Sequence, residues 1–402
     1  NLIGALKKEM NQSAPLNPEG LPAMSQDINQ DLTSTPERLL VRKDRKPCYE
    51  IVYTDSFERL YEELCRAGAG SIKKAALITD TVVAPLYADE VRSQLEEHGM
   101  TVPVYQIPAG EENKTLSSMQ QIYQFLAANE LDRGSLLIAL GGGVVGDMTG
   151  FAAATYMRGI DYIQIPTTLL AQADSSIGGK TGVDLGGCKN MIGAFYMPRL
   201  VYANVSVLDS LDGRQFASGF AEIMKHGLIR SGAYYEWLID HLYEITEREH
   251  AILQEMLYES NRIKKQIVES DPFEQKDRML LNFGHTLGHA IEKYKEFSLT
   301  HGECVALGCV AAAWISWKKE LLSMEEYYEI RDMFVPFGLP ISIENIDPDD
   351  ILKIVRSDKK NRAGTLRFVL LRKVGKAFVA TDVTDEEMRG ALLELEYRED
   401  GE

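Results

Sequence analysis

Apolar and polar positions change period along the chain, and the changes mark its elements. From Tyr49, YEIVYT reads as a strand, FERLYEELCRAG as an amphipathic helix and KKAALITD as a second strand. A helix over Tyr87–His98, a strand at VPVYQIP, a helix over Leu116–Asn129 and strands at SLLIALGGG and IDYIQIPTT follow. Strands separated by helices predict a parallel sheet, because the helix supplies the crossover that parallel neighbours need. Beyond about Leu211 the spacing becomes helical, over Phe216–Ile229, Tyr234–Val268 and Thr286–Tyr294. The expected fold class is α/β, with an N-terminal α/β domain at 47–211 and a mostly helical C-terminal domain at 212–402. Residues 1–46, rich in Asn, Gln, Pro and Ser without apolar periodicity, read as a tail or linker of unknown role.

With 402 residues the chain can build two sizeable cores, and 45% hydrophobic with 26% charged residues is a normal globular balance. A net charge of −17 argues against nucleic acid as a partner. An anionic small molecule would then need positive charge concentrated in a cleft. Five scattered cysteines without a CxxC spacing read as reduced thiols of a cytoplasmic enzyme. The apolar run Cys304–Trp317 is too short for a bilayer, so no membrane association is expected and the run reads as a buried helix. No secretory leader is legible, and the start at Asn1 leaves room for an upstream extension.

LLIALGGGVVGD runs a buried strand into Gly141, Gly142 and Gly143, then Gly146 and Asp147. Consecutive glycines let backbone approach a pyrophosphate, and the following helix offers its N-terminal amides. A bare strand-to-helix turn would use the same residues, and the GxGxxG fingerprint is absent. Thr167, Thr168, Asp174 and Ser175 gather polar groups at another strand end, where ligands of open α/β sheets bind. Glu111 and Lys114 follow a third strand and read equally as a solvated turn pair.

Glu222 and Lys225 stand three apart on one helical face, His285 and His289 four apart on another, and His301 opens HGE. A lone helical histidine is ordinarily structural, but 285, 289 and 301 crowd into seventeen residues. Glu222, His285 and His301 satisfy the three-ligand requirement of a catalytic zinc, which leaves His289 as a candidate acid/base.

GGGVVGD, ATYMRG, PTTLLAQADSSIGGKTGVD, KNMIGAFYMPRLV, AEIMKHGLI, LNFGHTLGHAIE, HGE and DKKN occur in the order and spacing of 3-dehydroquinate synthases, of the sugar-phosphate cyclase superfamily. The resemblance covers residues 49 to 395. It implies a nucleotide-binding α/β domain and a helical domain that holds metal and substrate. Glu222, His285 and His301 become ligands of one divalent ion, zinc or cobalt. NAD contacts fall to Asp80, Glu111, Lys114, Gly142, Gly143, Asp147, Thr167, Thr168, Lys189 and Leu211. The catalytic set is His289, Lys180, Asn282, Lys225 and Asp174, and substrate binding falls to Arg158, Asn190, Lys264, Arg278 and Lys359, with Lys360 as the alternative to Lys359. The implied substrate is a small sugar-acid phosphate, 3-deoxy-arabino-heptulosonate 7-phosphate, and the implied assembly a homodimer. The basic residues would supply the local field that an acidic chain otherwise lacks.

The implied reaction oxidises a ring hydroxyl, eliminates phosphate, reduces the ketone again and recloses the ring to 3-dehydroquinate, returning NAD each turnover. Val82, Asp212 and Gln215 depart from the family pattern on the nucleotide side, and Cys188 beside Lys189 is unusual. Rival readings are a valiolone- or inosose-type cyclase, a metal-dependent polyol dehydrogenase and a silent NAD-binding regulator. The first would not need the carboxylate-site pair Arg278 and Asn282. The second would release NADH without needing so many anion-binding groups, and the third has no use for an intact metal triad.

Overall fold

The computed structural model describes residues 37–186, 188–271, 277–361 and 366–396. Seven strands form the central sheet: β1 (Arg38–Lys43), β2 (Lys46–Thr54), β3 (Ala75–Asp80), β4 (Val104–Ile107), β5 (Leu136–Gly141), β6 (Asp161–Pro166) and, after an intervening hairpin, β9 (Leu200–Asn204). Their order is β1-β2-β9-β6-β5-β3-β4. Only the β1–β2 hairpin is antiparallel, and the other neighbours are parallel. The sheet therefore starts at Arg38, inside the stretch expected to be tail. Only Leu39 and Val41 of β1 are buried, too few to make an apolar rhythm stand out.

All six residues of β5 are buried, as expected of a strand covered on both faces. One face packs against Leu60, Leu64, Val91 and Leu95, from the helices Leu60–Arg66 and Asp89–Glu96. The other meets Met119, Ile122, Met148 and Ala152, from Leu116–Ala128 and Gly143–Thr155. The hairpin of β7 (Lys180–Leu185) and β8 (Cys188–Phe195) lies against Gly143–Thr155.

The remainder is mostly helical, with one small hairpin of β10 (Phe368–Lys373) and β11 (Lys376–Ala380). At its centre lies His301–Lys318, which buries Cys304–Ala313 and confirms the apolar run as an interior helix. The expected long helix Tyr234–Val268 is instead three: Gly232–Asp240, Leu242–Thr246 and His250–Ser270. Arg248 breaks the run in the left-handed region at φ 60°. Its guanidinium donates to the Leu208 and Asp209 carbonyls and lies 4.7 Å from the Phe216 ring centre. These tertiary contacts outweigh local helix preference, and neither Gly nor Pro marks the break. All five cysteines are free, and no helix among the described residues is long and apolar enough to cross a membrane.

Candidate active site and metal centre

Because β3, β4, β5 and β6 run parallel, their C-terminal ends share one edge. Asp80 ends β3, Gly141 ends β5 and Thr167 follows β6. Chain order reverses between β3 and β5, which makes a crevice there, the usual ligand position in open α/β sheets. Asp80 Oδ1 accepts from the Val82 and Val83 amides at 2.8 and 2.9 Å, which fixes the turn lining that crevice. The departure at Val82 thus contributes through its backbone. Across the crevice Gly142 caps Gly143–Thr155, and a Cβ on Gly142 or Gly143 would come within 3.0 Å of Thr168 Cγ2 or Ser175 Oγ. The backbone there is bare and close to neighbouring hydroxyls, and the buried Thr167 Oγ1 has no partner among the described residues. This glycine cradle, with helix amides above it, fits a pyrophosphate.

The Glu111–Lys114 turn is not a solvated pair. Lys114 is buried and donates to Asp147 Oδ2 at 2.7 Å and Asn190 Oδ1 at 2.6 Å. Asn190 itself is left-handed, at φ 54°, with its amide donating to Asp184 Oδ1. Burial pushes the Asp147 carboxyl up to about 6, against the pull of Lys114, and Glu111 and Asp184 add repulsion. Burial also lowers Lys114, but Asp147, Glu111 and Asp184 together hold it above its ordinary value. One ammonium thus serves three acids.

The wide turn Ala171–Ser175 joins this edge to the helical region. Ser175 faces Gly143, while the preceding residue, Asp174, accepts from Lys264 Nζ at 2.5 Å, the lysine coming from His250–Ser270. Burial would raise Asp174, but Lys264 and then Lys225 override it and hold the carboxyl down at about 2.

Three helices converge beyond Asp174. Glu222 comes from the middle of Gly213–Arg230, His285 opens His285–Tyr294 and His301 opens His301–Lys318. Glu222 Oε1 lies 3.3 Å from His285 Nε2 and 3.2 Å from His301 Nε2. The helices approach this closely through glycine: a Cβ on Gly302 would strike the Ser218 backbone, and one on Gly308 the Gly284 carbonyl. His285 Nδ1 lies 3.0 Å from the Phe283 carbonyl, a bond that keeps Nε2 free for the centre. Burial opposes charge on Glu222, but Lys225, then His285 and His301, hold it well below the usual carboxylate range. Lys225 forms an ion pair with Glu222 and donates to the Leu281 carbonyl at 2.7 Å. One carboxylate and two imidazoles, with ligand atoms all within 4.8 Å, fit a divalent ion of zinc or cobalt type.

His289 stands one turn beyond His285 and opens to the cleft, its ring centre 4.9 Å from that of His285 and 5.8 Å from that of His301. Partial desolvation, with His285 and His301 nearby, lowers its pKa to about 3. Lys189 on β8 donates to the buried Glu292 at 2.9 Å and lies over the Phe297 ring. Arg278 is buried, with its amide donating to Asp271 Oδ2, and Asn282 is half-buried in the same turn before His285. Lys180 is exposed at the start of β7, and Leu211 is half-buried ahead of Gly213–Arg230.

Arg158 stands apart from the cluster. It follows Gly143–Thr155 at the end away from the glycine turn, about 20 Å along a helix of that length, exposed and left-handed at φ 68°. The backbone of Lys359 lies in Pro348–Asn361, but its side chain, like that of Lys360, lies outside the described residues. Asp212, a departure from the family pattern, accepts from the Arg214 and Gln215 amides and so caps the helix that carries Glu222. Cys188 is exposed opposite Leu185. Glu292, which the sequence reading missed, is detectable from its spacing: three residues past His289 and seven past His285, on the ligand face of one helix.

Comparison with known proteins agrees with this geometry. Residues 104–218 match the family model for 3-dehydroquinate synthase N-terminal, and residues 219–361 that for 3-dehydroquinate synthase C-terminal. The 3-dehydroquinate synthase of Ruminiclostridium cellulolyticum is 42% identical over 347 residues, 86% of this chain and 96% of that protein. Among solved structures, 2-deoxy-scyllo-inosose synthase complexed with carbaglucose-6-phosphate, NAD+ and Co2+ is 26% identical with a TM-score of 0.80, covering 88% of this chain and 99% of the other. The 2-epi-5-epi-valiolone synthase of Streptomyces hygroscopicus, with NAD+ and Zn2+ bound, is 26% identical with a TM-score of 0.79, covering 89% and 99%. The fold is thus shared with two cyclases of other specificity, while the 42% relative and both family models select one branch: the chain belongs to the 3-dehydroquinate synthase family.

Proposed function

We propose that the protein converts 3-deoxy-D-arabino-heptulosonate 7-phosphate to 3-dehydroquinate and phosphate, as a carbon–oxygen lyase of the shikimate route to aromatic amino acids. The observation that carries this reading is the convergence of Glu222, His285 and His301 beside the Asp174–Lys264 pair, next to the glycine turn. Structural relatives solved with NAD+ and Co2+ or Zn2+ support the same cofactor pair here. When bound, NAD and the divalent ion would supply a transient hydride acceptor and a Lewis acid at a ring hydroxyl.

The chain's own residues do the rest. Glu222, His285 and His301 would hold the ion, with Lys225 fixing the Glu222 carboxylate from behind. Asp80, Glu111, Lys114, Gly142, Gly143, Asp147, Thr167, Thr168, Lys189 and Leu211 would form the dinucleotide site. Asp174 orients the Lys264 ammonium, and Lys180, Asn190, Lys225, Lys264, Arg278 and Lys359 would bind the anionic substrate. Arg278 suits its carboxylate, because a guanidinium offers paired donors. His289 is open to the cleft one turn past His285, where it would take and return a proton, with Asn282 beside it contacting hydroxyls. Arg158, distant within one chain, is assigned to substrate by family resemblance alone. A homodimer in the cytoplasm completes the proposal.

The test is incubation with that substrate, catalytic NAD and zinc or cobalt, following phosphate, NADH and product. Metal-dependent phosphate release with 3-dehydroquinate and no net NADH is the expected result. Cyclisation of sedoheptulose 7-phosphate instead would move the assignment to the valiolone branch, and NADH without phosphate would mean a dehydrogenase.

A further inference from the structure

Glu222 and His301 sit on different helices, so their 3.2 Å separation depends on how those helices are held at their N-terminal ends. Two links join them there. The Glu303 carboxylate, two residues past His301, accepts from Arg214 Nε and Nη2, each at 2.7 Å. It also closes a capping box by accepting from the Thr300 amide at 2.7 Å, while Arg214 Nη2 donates to the Ser298 carbonyl. In the second link Ser218 Oγ, one turn before Glu222, accepts from the Gly302 amide at 2.9 Å, next to His301. Each ligand is therefore tied to the opposite helix through a neighbouring residue.

We infer that Arg214 and Glu303, with Ser218, are positioning residues of the metal centre: their paired bonds set the Glu222–His301 geometry without touching the ion. A planar guanidinium meeting a carboxylate through two bonds fixes angle as well as distance, which a lysine cannot do. Groups hydrogen-bonded directly to metal ligands typically govern affinity by about 10–100-fold, and links that act through a neighbouring residue should stand at the low end of that range. A merely structural pin would instead lower stability equally with and without metal.

The inference rests on the proposed metal centre, and its test separates the two. Zinc and cobalt affinities of the full chain would be measured by competition with a chromophoric chelator, with the cobalt absorption spectrum reporting ligand geometry. Thermal midpoints would be taken with and without metal. R214A and E303Q should each bind roughly 10-fold more weakly, with an altered cobalt spectrum, and the double variant should be no weaker than either alone. R214K, which keeps the charge but not the fork, should fall between R214A and the unaltered protein. Ser218→Ala, which removes only a hydroxyl, is a milder probe should R214A fail to fold, and a severalfold loss is expected. Unchanged affinity in E303Q and S218A, or stability lost equally with and without metal at constant affinity, overturns the inference. An unaltered chain that binds no divalent ion overturns the metal centre itself.

Discussion

Replacing Lys114 by methionine keeps the unbranched apolar stem of a buried side chain and removes the one ammonium shared by Asp147, Glu111 and Asp184. Stranding the partner of a buried ion pair costs about 3–5 kcal/mol when it must stay charged. Asp147 has an escape, because burial has already pushed its carboxyl from 3.8 up to about 6 with the ammonium present. Its folded value lies above its unfolded one, so the native state holds the proton more tightly. The group's contribution to stability therefore falls as pH rises from 3.8 through about 6. Without Lys114 the folded value climbs further, and each added unit is worth about 1.4 kcal/mol. At pH 5 the carboxyl is mostly protonated with or without its partner, so K114M should cost about 1 kcal/mol or less. At pH 8 a carboxyl kept protonated forgoes the ionisation that its value of about 6 would allow, so the cost rises toward about 3 kcal/mol. Urea unfolding of K114M, D147N and the double variant at both pH values measures this, and D147N should recover most of the K114M loss at pH 8. An equal cost at pH 5 and pH 8, or no recovery by D147N, would refute the reasoning.

Glu222→Gln should abolish stoichiometric metal, read by elemental analysis, and strand the buried Lys225 at a cost of about 3–5 kcal/mol. His289→Ala should retain metal and lose about 10²–10⁴-fold in turnover, and loss of metal as well would make His289 a ligand. In Gly302→Ala the new methyl meets the Ser218 backbone, which cannot swing away as a side chain would. Overpacking of about 1–3 kcal/mol should therefore exceed the helix-propensity gain of about 1 kcal/mol. A variant at least as stable as the parent in urea unfolding would show that the helices separate at little cost.

Much of this architecture is legible where one local pattern determines the element. The sheet strands from YEIVYT to IDYIQIP stand out by β-rich runs between helical spacings, and the candidate metal site by the scarcity of histidine and its crowding at 285, 289 and 301. Tertiary effects hide the rest. Lys114 looks like a surface residue because the partners that bury it, Asp147 and Asn190, are 33 and 76 positions away. The β7–β8 hairpin escapes because Met191 and Phe195 face outward and Gly182 pairs with Gly193, leaving no rhythm of burial. Arg158 belongs to a family motif, yet its place at the far end of Gly143–Thr155 depends on helix length and direction, which no motif encodes.

The place of β9 in the sheet has a consequence for how the protein is made. β9 lies between β2 and β6, and Glu50 of β2 pairs with Leu200, 150 positions later. While synthesis stops short of Leu200, β2 and β6 each keep an open edge with predominantly buried, apolar sequence. Such edges recruit wrong partners, and pairing across so long a separation is slow. A nascent chain of that length is at its most exposed to misassembly, and fragments ending before β9 should aggregate rather than fold. Once β9 has closed the gap, the helices bearing Glu222, His285 and His301 are still to be made, so the proposed metal ligands emerge onto a sheet that is already complete.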